Sequence, residues 1–242
     1  MATLFISDLH LDDSRPHITR LFEEFLASEE VRKADALYIL GDLVEAWIGD
    51  DDDAELPTRI ANATRSLSES GVPVYFMVGN RDFLLGQDFA RRAGFTLLDD
   101  GAVHDLYGQP TLLMHGDVLC TDDVAYQTLR KQVRMPAWQA QILAMSLPAR
   151  RAFAAKARED SRAHTGSTME TIMDVNADAV ADTMRKAGVT RLIHGHTHRP
   201  AIHGFDLDGQ PAERIVLGDW YEHGSVLRVT PEGSELRGLS IA

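Results

Sequence analysis

Between residues 74 and 82 the chain reads Val74-Tyr75-Phe76-Met77-Val78-Gly79-Asn80-Arg81-Asp82. The first five residues have the length and the apolar, aromatic composition of a buried strand. The four that follow carry an amide, a guanidinium and a carboxylate. In a sheet covered by helices, ligands collect at the carboxyl ends of the strands. The stretch therefore predicts one strand of an α/β sheet with functional groups at its end.

The same pattern occurs four more times along the chain. The polar motifs that follow the other apolar runs are Asp8-Leu9-His10, Gly41-Asp42, His115-Gly116-Asp117 and His194-Gly195-His196-Thr197-His198. The first four motifs in chain order lie about 35 residues apart, the length of a strand, a crossover helix and a return strand. Helical periodicity fills the gaps, as in residues 18–26 and after Pro57. We therefore predict βαβ units that form a parallel or mixed sheet, with five loops converging on one site.

The rhythm changes in the second half of the chain. From Asp122 to about Lys186 the composition is mostly helical, with interruptions at Pro136, Pro148 and Gly166. We interpret this stretch as an insertion of helices, with a lid at about 123–170. After residue 199, three short strands are predicted at 202–206, 213–217 and 225–229, with Asp208-Gly209 as a hairpin turn. We expect these strands to form a second sheet.

Size and composition limit the possible classes of protein. With 242 residues and one cysteine, Cys120, the chain fits a single large α/β domain over 1–242 without an intramolecular disulfide or a cysteine-rich zinc site. The net charge of −13 argues against a nucleic-acid partner. No signal peptide or membrane span is expected, and nothing indicates an obligate protein partner.

The lid stretch has the opposite charge from the rest of the chain. Residues 130–162 contain eight basic and two acidic residues, interspersed with large apolar side chains such as Trp138 and Phe153. The combination suits an anionic, partly apolar partner such as a phospholipid surface or a lipid phosphate. It suits equally well a solvated face over packed apolar residues. A second charged run, Asp50 to Asp53, is interpreted as a solvated loop that favours a helix N-terminus. Trp220 and Tyr221 are interpreted as packing residues or a pocket edge.

Seven residues in the five motifs are candidate metal ligands. They are Asp8, His10, Asp42, Asn80, His115, His196 and His198. Carboxylate, amide and imidazole ligands together favour manganese or iron over calcium. Seven ligands exceed the needs of one ion, whereas two ions bridged by a shared carboxylate would use them all. Because two-metal sites stabilise in-line displacement at phosphorus, the set predicts phosphoryl hydrolysis. His194 is expected to be packed or to support a ligand.

These motifs, in this order, resemble those of the calcineurin-like metallophosphoesterases, and the resemblance covers essentially the whole chain. It implies a four-layer αββα fold with a dinuclear site. One ion would be held by Asp8, His10, Asp42 and His198, and the other by Asp42, Asn80, His115 and His196. Asp42 would be the bridge. Catalytic roles would fall to Asp42, Asn80, Arg81, His115 and His196.

The residue after the motif asparagine is Arg81, where many members of this family have a histidine. A guanidinium stays charged and cannot usefully protonate a departing alkoxide. Such a site favours a leaving group that needs no protonation, such as a phosphate from a pyrophosphate, whose charge Arg81 can neutralise. The alternative is that Arg81 only pairs with Asp82.

Longer segments carry a closer resemblance. They are residues 45–50, 79–86, 114–123, 172–176 and 194–200, and they resemble the UDP-2,3-diacylglucosamine pyrophosphohydrolases of lipid A biosynthesis. That family implies two Mn²⁺ ions and attack of metal-activated water on the α phosphorus, giving UMP and 2,3-diacylglucosamine 1-phosphate. It also implies a lid for the acyl chains and peripheral attachment to an anionic membrane surface, at the cytoplasmic face of the inner membrane.

The resemblance implies substrate contacts as well. They would be Asn80, Arg81, Asp123, Arg158, Ser161, Thr165, Thr168 and His196. At the positions of Thr165 and Thr168 the family often has asparagine and lysine. Thr168 therefore lacks the positive charge of that lysine. Two other readings remain open, namely a hydrolase of a nucleotide or other soluble phosphodiester, and a non-catalytic interaction module on the same fold.

Overall fold

The computed structural model describes residues 1–167 and 174–240, and the side chains of 1–161 and 174–240. The strands are β1 (Thr3–Ile6), β2 (Ala36–Leu40), β3 (Val74–Met77), β4 (Phe95–Leu98), β5 (Ala102–Leu106), β6 (Gln109–Met114), β7 (Arg191–His194), β8 (Ala201–Leu207), β9 (Gln210–Val216), β10 (Gly224–Thr230) and β11 (Gly233–Leu239). They form a six-stranded sheet of order β11-β10-β1-β2-β3-β4 and a five-stranded sheet of order β5-β6-β7-β9-β8. Both sheets are mixed, because β1 to β4 run parallel to one another, as do β6, β7 and β9.

Helices connect and cover the strands. They are α1 (Pro16–Ala27), α2 (Glu29–Arg32), α3 (Glu55–Glu69), α4 (Gln87–Ala93), α5 (Val124–Val133), α6 (Pro136–Leu143), α7 (Leu147–Ser167) and α8 (Ala177–Ala187). The predicted helices over 18–26 and after Pro57 are confirmed as α1 and α3, the latter with Pro57 in its first turn, where the missing N–H costs no hydrogen bond. None of the helices in the described residues combines the length and hydropathy that crossing a bilayer requires.

Three apolar cores separate four layers. On the outside of the six-stranded sheet, α1, α3 and α4 bury side chains such as Phe22, Ile60 and Phe89. Between the sheets, Phe5 of β1 packs in the same core as Ile193 of β7. On the outside of the five-stranded sheet, α8 buries Val180 and Met184. The layers are therefore helix, sheet, sheet, helix, which confirms the predicted αββα class.

The predicted strands after residue 199 do not all share one sheet. The first two are β8 and β9 and form a hairpin through Asp208-Gly209 in the five-stranded sheet. The third, β10, pairs antiparallel with β1 in the six-stranded sheet, so its predicted place was wrong. The local pattern of a strand does not specify its partner. The strands β4, β5 and β11 had no prediction.

The helical insertion is also shorter than predicted from the composition. Helix α8 connects β6 to β7 as a crossover helix and belongs to the body of the fold. The remaining helices α5 to α7, residues 124–167, are called here the helical segment. Helices α5 and α6 bury none of their residues fully. The lid assigned to 123–170 extends into residues outside the described part.

The acidic run is exposed at Asp51 and Asp53, as expected of a solvated loop, but its carboxylates also have specific partners. Asp50 accepts hydrogen bonds from the Gly86 and Phe89 amides at 2.9 Å and so caps the start of α4. Asp51 accepts from the guanidinium of Arg150 at 2.7 Å, and Arg151 donates to Asp52 and Asp53. The run therefore ties α7 to the body of the protein. The sequence did not indicate these arginine partners, because they lie about 100 residues away.

Candidate metal centre

All five motifs meet at one place. Asp8, Asp42 and Asn80 follow the parallel strands β1, β2 and β3, while His115 and His196 follow β6 and β7. Parallel strands end at the same edge of a sheet, and the two sheets face each other. The convergence predicted from the sequence is therefore observed.

One cluster brings together Asp8, His10, Asp42 and His198. The His10 Nε2 lies 3.3 Å from the His198 Nε2 and 3.7 Å from the Asp42 Oδ2. The His198 Nε2 lies 3.3 Å from the Asp8 Oδ1. Two imidazole nitrogens and two carboxylate oxygens thus point into one small volume, which is the arrangement that a cation would need.

A second cluster brings together Asp42, Asn80, His115 and His196. The Asn80 Oδ1 lies 2.9 Å from both the His115 Nε2 and the His196 Nδ1. The His115 Nε2 is also 3.7 Å from the Asp42 Oδ1. Asp42 therefore directs one oxygen toward each cluster, as a bridging carboxylate would.

The residues present fit a metal. The Asp8 Oδ2 accepts from the Ser7 hydroxyl at 2.5 Å and the His196 amide at 2.9 Å. The Asp8 Oδ1 is buried and has no well-directed hydrogen bond to any residue that the structure describes. A buried carboxylate oxygen left in this way is costly unless a cation or donor meets it. The ligand atoms of Asp8, His10 and His198 all lie within 4.8 Å of one another, as do those of Asp8, Asp42 and His115.

The backbone at these positions is strained. Among the described residues, seven other than glycine have positive φ, and five of them are candidate ligands: Asp8, His10, Asp42, His196 and His198. The other two, Tyr107 and Asp208, precede glycines in hairpin turns. Left-handed conformations cost a side-chain-bearing residue free energy and persist where the surroundings enforce them, typically at functional sites.

Two glycines allow this close packing. A Cβ at Gly79 would collide with the Asp42 carboxylate and come within 2.5 Å of the Asp42 amide nitrogen. A Cβ at Gly195 would collide with the Asp8 Oδ2 and the Ser7 hydroxyl. The motif glycines are therefore required for close approach of the loops.

Charges in the cluster act strongly on one another. Burial disfavours the charged form of His115, but the carboxylates of Asp42 and Asp8 outweigh it and raise the pKa of His115 to about 9. Burial, helped by His115, lowers the pKa of His196 to about 4. Burial would raise the pKa of Asp8, but the imidazole of His198 holds it below its usual range. The ionised carboxylates thus make the centre attractive to cations.

Neighbouring groups hold the ligands in place. The His115 Nδ1 donates to the Leu40 carbonyl at 2.9 Å, so in the neutral ring Nε2 is the nitrogen left to bind a metal. Asp82 accepts from the Gly79 amide at 2.6 Å and the Leu43 amide at 2.7 Å, which links two ligand loops. His194 is fully buried and donates from Nδ1 to the Gly195 carbonyl at 2.8 Å, as expected of a packed residue.

The expected substrate contacts surround the centre in part. The Asp82 carboxylate accepts hydrogen bonds from the Gly79 and Leu43 amides. An Arg81 amino group donates to the Ser161 hydroxyl of α7 at 3.3 Å. Within the described residues the Arg81 Nε is buried without a hydrogen-bond partner. Asp123 caps α5 by accepting from the Tyr126 amide at 2.9 Å. The side chains of Thr165 and Thr168 lie outside the described residues.

Several residues beside the centre were missed by the sequence motifs. Tyr221 stacks on His10, with ring centroids 5.2 Å apart, and the Asp219 Oδ2 lies 3.7 Å from the His198 Nδ1. The Asp117 Oδ2 accepts from the Tyr126 hydroxyl at 2.7 Å, and the Tyr126 ring stacks on His196. Of these residues, only Asp117 had a sequence signal for a place beside the centre, namely its position in the His-Gly-Asp motif. Trp220 is fully buried, as expected of a packing residue.

Glu45 is a further missed residue. Its Oε2 lies 3.1 Å from the His10 Nδ1, and its Oε1 accepts from the Arg158 Nε at 3.1 Å. Burial would raise the pKa of Glu45, but His10 and the nearby arginines lower it to about 2. Arg158, expected to contact substrate, thus pairs here with Glu45 and, at 3.5 Å, with Asp12.

Comparisons with known proteins agree with this geometry. The family model for calcineurin-like phosphoesterases matches residues 1–200. Proteins named UDP-2,3-diacylglucosamine hydrolase are 57% identical in Stenotrophomonas maltophilia (strain K279a), over 99% of both chains, and 55% identical in Cellvibrio japonicus, over 100% of both chains.

Solved structures share the fold at low identity. A dimetal phosphatase from Danio rerio superposes with a TM-score of 0.51 at 12% identity, covering 100% of this chain and 99% of that one. An archaeal phosphodiesterase has a TM-score of 0.50 at 13% identity, covering 99% of this chain and 100% of that one. The chain belongs to the calcineurin-like phosphoesterase family.

Proposed function

We propose that the chain hydrolyses the pyrophosphate bond of UDP-2,3-diacylglucosamine, giving UMP and 2,3-diacylglucosamine 1-phosphate, with two Mn²⁺ ions as cofactors. The observation that carries the proposal is the 55–57% identity, over essentially full length, to enzymes named for hydrolysis of that lipid nucleotide. The buried ligand clusters support a dinuclear centre of the kind this family uses.

The metal ligands in this proposal are the seven motif residues, with Asp42 as the bridge. Two bound ions would supply Lewis acidity at the phosphoryl oxygens and lower the pKa of a bound water. The protein's own contribution is to hold the ligands rigidly through the strained loops and the backbone hydrogen bonds of Asp82 and His115. Carboxylate, amide and imidazole donors suit Mn²⁺.

Arg81 has a separate role in the proposal. Its amide donates to the Asp42 Oδ1 at 2.8 Å, and its guanidinium lies against Ser161 of α7. The side chain thus sits between the metal loops and the helical segment, with its Nε available. A guanidinium at this point can neutralise a phosphate leaving group without giving up a proton. Asn80, Asp123, Arg158, Ser161, Thr165, Thr168 and His196 would complete the substrate contacts.

The helical segment would hold the acyl chains as a lid. An aromatic row runs from Phe83, just after the Arg81 loop, through Trp138 of α6 to Phe153 of α7, with centroids 5.9 and 6.0 Å apart. Leu143 and Phe153 remain 42% and 43% exposed, an apolar surface beside a phosphate-binding centre. A substrate with a charged pyrophosphate and two acyl chains matches that combination.

The same segment would attach the protein to anionic lipid at the cytoplasmic face of the inner membrane. Arg130, Arg150, Arg151 and Arg158 pair with carboxylates of the body. The exposed Lys131 and Lys156, in a segment with more basic than acidic residues, support peripheral binding. A non-catalytic interaction module has less support, because it does not require buried, strained ligand residues.

The test is release of UMP from UDP-2,3-diacylglucosamine by the purified chain with Mn²⁺. Metal-dependent release that chelation abolishes is expected. Asp42→Ala should lower it at least about a thousandfold without unfolding the protein, because Asp42 serves both clusters. If no UMP appears while a generic aryl phosphodiester is hydrolysed, the lipid substrate is wrong and the soluble phosphodiester alternative takes its place. If Asp42→Ala keeps full turnover, the metal site is wrong.

A further inference from the structure

The carboxylate of Glu45 lies between a candidate metal ligand and the helical segment. Its Oε2 is 3.1 Å from the His10 Nδ1, and its Oε1 accepts from the Arg158 Nε at 3.1 Å. The His10 side chain is 2% exposed and that of Glu45 is 14% exposed, so water competes little for these contacts. Each carboxylate oxygen thus has one close neighbour, and the two neighbours belong to different parts of the molecule. Arg158 donates a hydrogen bond, whereas the His10 Nδ1 lies at ion-pair distance and makes no well-directed hydrogen bond within the described part of the chain.

We propose that Glu45 is a positioning residue that orients His10 toward the metal centre and that Arg158 of α7 in turn holds Glu45. The inference rests on the proposed metal centre but not on the lipid substrate. It assigns the helical segment a second task besides covering substrate, which is to support one of the metal ligands.

The chemistry of the two side chains explains the orientation. An ionised carboxylate can only accept a hydrogen bond, so Glu45 favours the His10 tautomer that carries the proton on Nδ1. In that neutral ring the other nitrogen, Nε2, is unprotonated and points toward Asp42 and His198. A carboxylate behind a metal-binding histidine fixes its tautomer and ring orientation, and losing such a partner typically costs ten- to a hundredfold in metal affinity.

Glu45 is set apart from the other groups behind the ligand histidines. His115 is held by the Leu40 carbonyl, which is part of β2. The Asp219 carboxylate stands 3.7 Å from His198, too far for a direct hydrogen bond. Glu45 is within hydrogen-bond distance of His10 and is also bonded to α7, so it can transmit the position of that helix to a ligand.

The backbone places Glu45 independently of Arg158. The Glu45 amide donates to the Leu11 carbonyl at 3.1 Å, and Leu11 and Val44 form a short parallel bridge. These contacts fix the loop that carries His10 against the loop that carries Glu45. Arg158 therefore adds to an existing arrangement, and its loss should weaken the His10 contact less than loss of Glu45 itself.

The experiment is a calorimetric titration of the metal-free chain with Mn²⁺ in the absence of substrate. We expect Glu45→Ala to weaken the binding of one ion about ten- to a hundredfold. Glu45→Gln should weaken it less, because an amide oxygen can still accept from His10. Arg158→Gln should weaken it several-fold. The double variant Glu45→Ala with Arg158→Gln should have the Mn²⁺ affinity of Glu45→Ala alone, because Arg158 acts through that carboxylate.

The control is Asp12→Asn. Asp12 is the other carboxylate beside Arg158, at 3.5 Å, but it is not among the groups close to the ligand histidines, so Mn²⁺ affinity should stay at the wild-type value. Thermal melts check that each variant is folded, and Glu45→Gln and Arg158→Gln serve if Glu45→Ala does not fold. Unchanged affinity in the folded Glu45 variants overturns the inference. An Arg158→Gln effect that persists in the Glu45→Ala background overturns its second half. Failure of the wild-type chain to bind Mn²⁺ would instead overturn the metal centre.

Discussion

The ligand loops and the helical segment are built in opposite ways. Of the candidate ligands, Asp8, His10, Asp42 and His115 are almost fully buried, and their loops are tied by hydrogen bonds to the backbone within the body of the fold. Helices α5 and α6 bury no residue fully and leave apolar side chains such as Leu129 exposed. Their attachment, and that of α7, depends largely on arginines, including Arg130, which donates to Asp117 and Asp100.

Under the proposed function, this difference separates the metal centre from the surface that would receive the substrate. A metal centre needs ligands fixed within a fraction of an ångström, which burial and an over-determined backbone provide. A surface that receives a large amphiphilic substrate needs exposed apolar area, which a tightly packed helix would have hidden. Few buried contacts also mean a lower free energy of local opening. We therefore expect the helical segment to open more readily than the sheets.

The largest effect on this comparison is expected from Gly79→Ala. The added Cβ would displace the Asp42 carboxylate, which faces both clusters. Turnover should fall about a hundredfold, because small displacements at a reacting centre have large effects, and stability should fall by about 1–3 kcal/mol from overpacking. Steady-state kinetics and chemical denaturation measure the two effects.

Gly204→Ala is the matched control, because a Cβ at Gly204 of β8 would meet only open space. It should change neither quantity. If Gly79→Ala kept wild-type turnover, the rigidity assigned to the ligand loops would be incorrect.

An intermediate effect is expected from Arg150→Met. Arg150 is 3% exposed and donates to the Ile48 carbonyl at 2.6 Å and to Asp51. Removing the donor leaves a buried carbonyl unsatisfied, which costs about 1–3 kcal/mol. Amide hydrogen exchange in the described part of α7 should therefore speed up about five- to a hundredfold, while exchange in β1 to β3 stays unchanged.

The Arg151→Met variant tests the more exposed arginine that follows Arg150 in α7. The Arg151 side chain is 45% exposed and its partner Asp53 is 72% exposed, and ion pairs of such exposed groups contribute little. No measurable change in exchange is expected. Equal acceleration in both variants would mean that the acidic run holds α7 by general charge attraction.

The smallest effect is expected from Lys131→Gln on the exposed side of α5. A basic residue close to an anionic membrane contributes about 1 kcal/mol, so partitioning onto phosphatidylglycerol vesicles should drop about fivefold. Added salt should weaken the partitioning of the wild-type chain onto these vesicles toward the value of the Lys131→Gln variant. Vesicle co-sedimentation measures both.

Lys33→Gln provides the comparison, because Lys33 is also exposed but lies at the end of α2, in the body of the fold. It should leave partitioning unchanged. An equal drop for both lysines would remove the special role of the helical segment in membrane binding.

Much of the fold was predictable from short stretches of sequence. The strands β1, β2, β3, β6 and β7 contain short apolar runs, and the helices α1 and α3 have a helical hydrophobic period, so both signals report burial locally. The edge strands β5 and β11 are largely half exposed and lack such a signal. The partner of β10 was predicted wrongly because pairing with β1 joins residues more than 200 positions apart.

The site was predictable to the extent that its residues belong to strand-end motifs. The seven candidate ligands meet in two clusters, as expected. Tyr221 was expected only as packing or a pocket edge, yet it stacks on His10. Glu45 and Asp219 had no predicted place beside a ligand, because nothing in their neighbouring residues shows which histidine they will meet.

The sequence by itself determined the chemistry of this protein: which residue types end each strand, their order, and hence the kind of metal centre they can form. Only the tertiary structure decided which carboxylate stands behind which histidine, and how the acidic run and Glu45 hold α7. The physical reason is the separation in sequence between the residues that interact. Hydrophobic period and strand-end polarity act between neighbours in the chain, whereas ion pairs such as Arg150–Asp51 and Arg158–Glu45 depend on how distant segments pack.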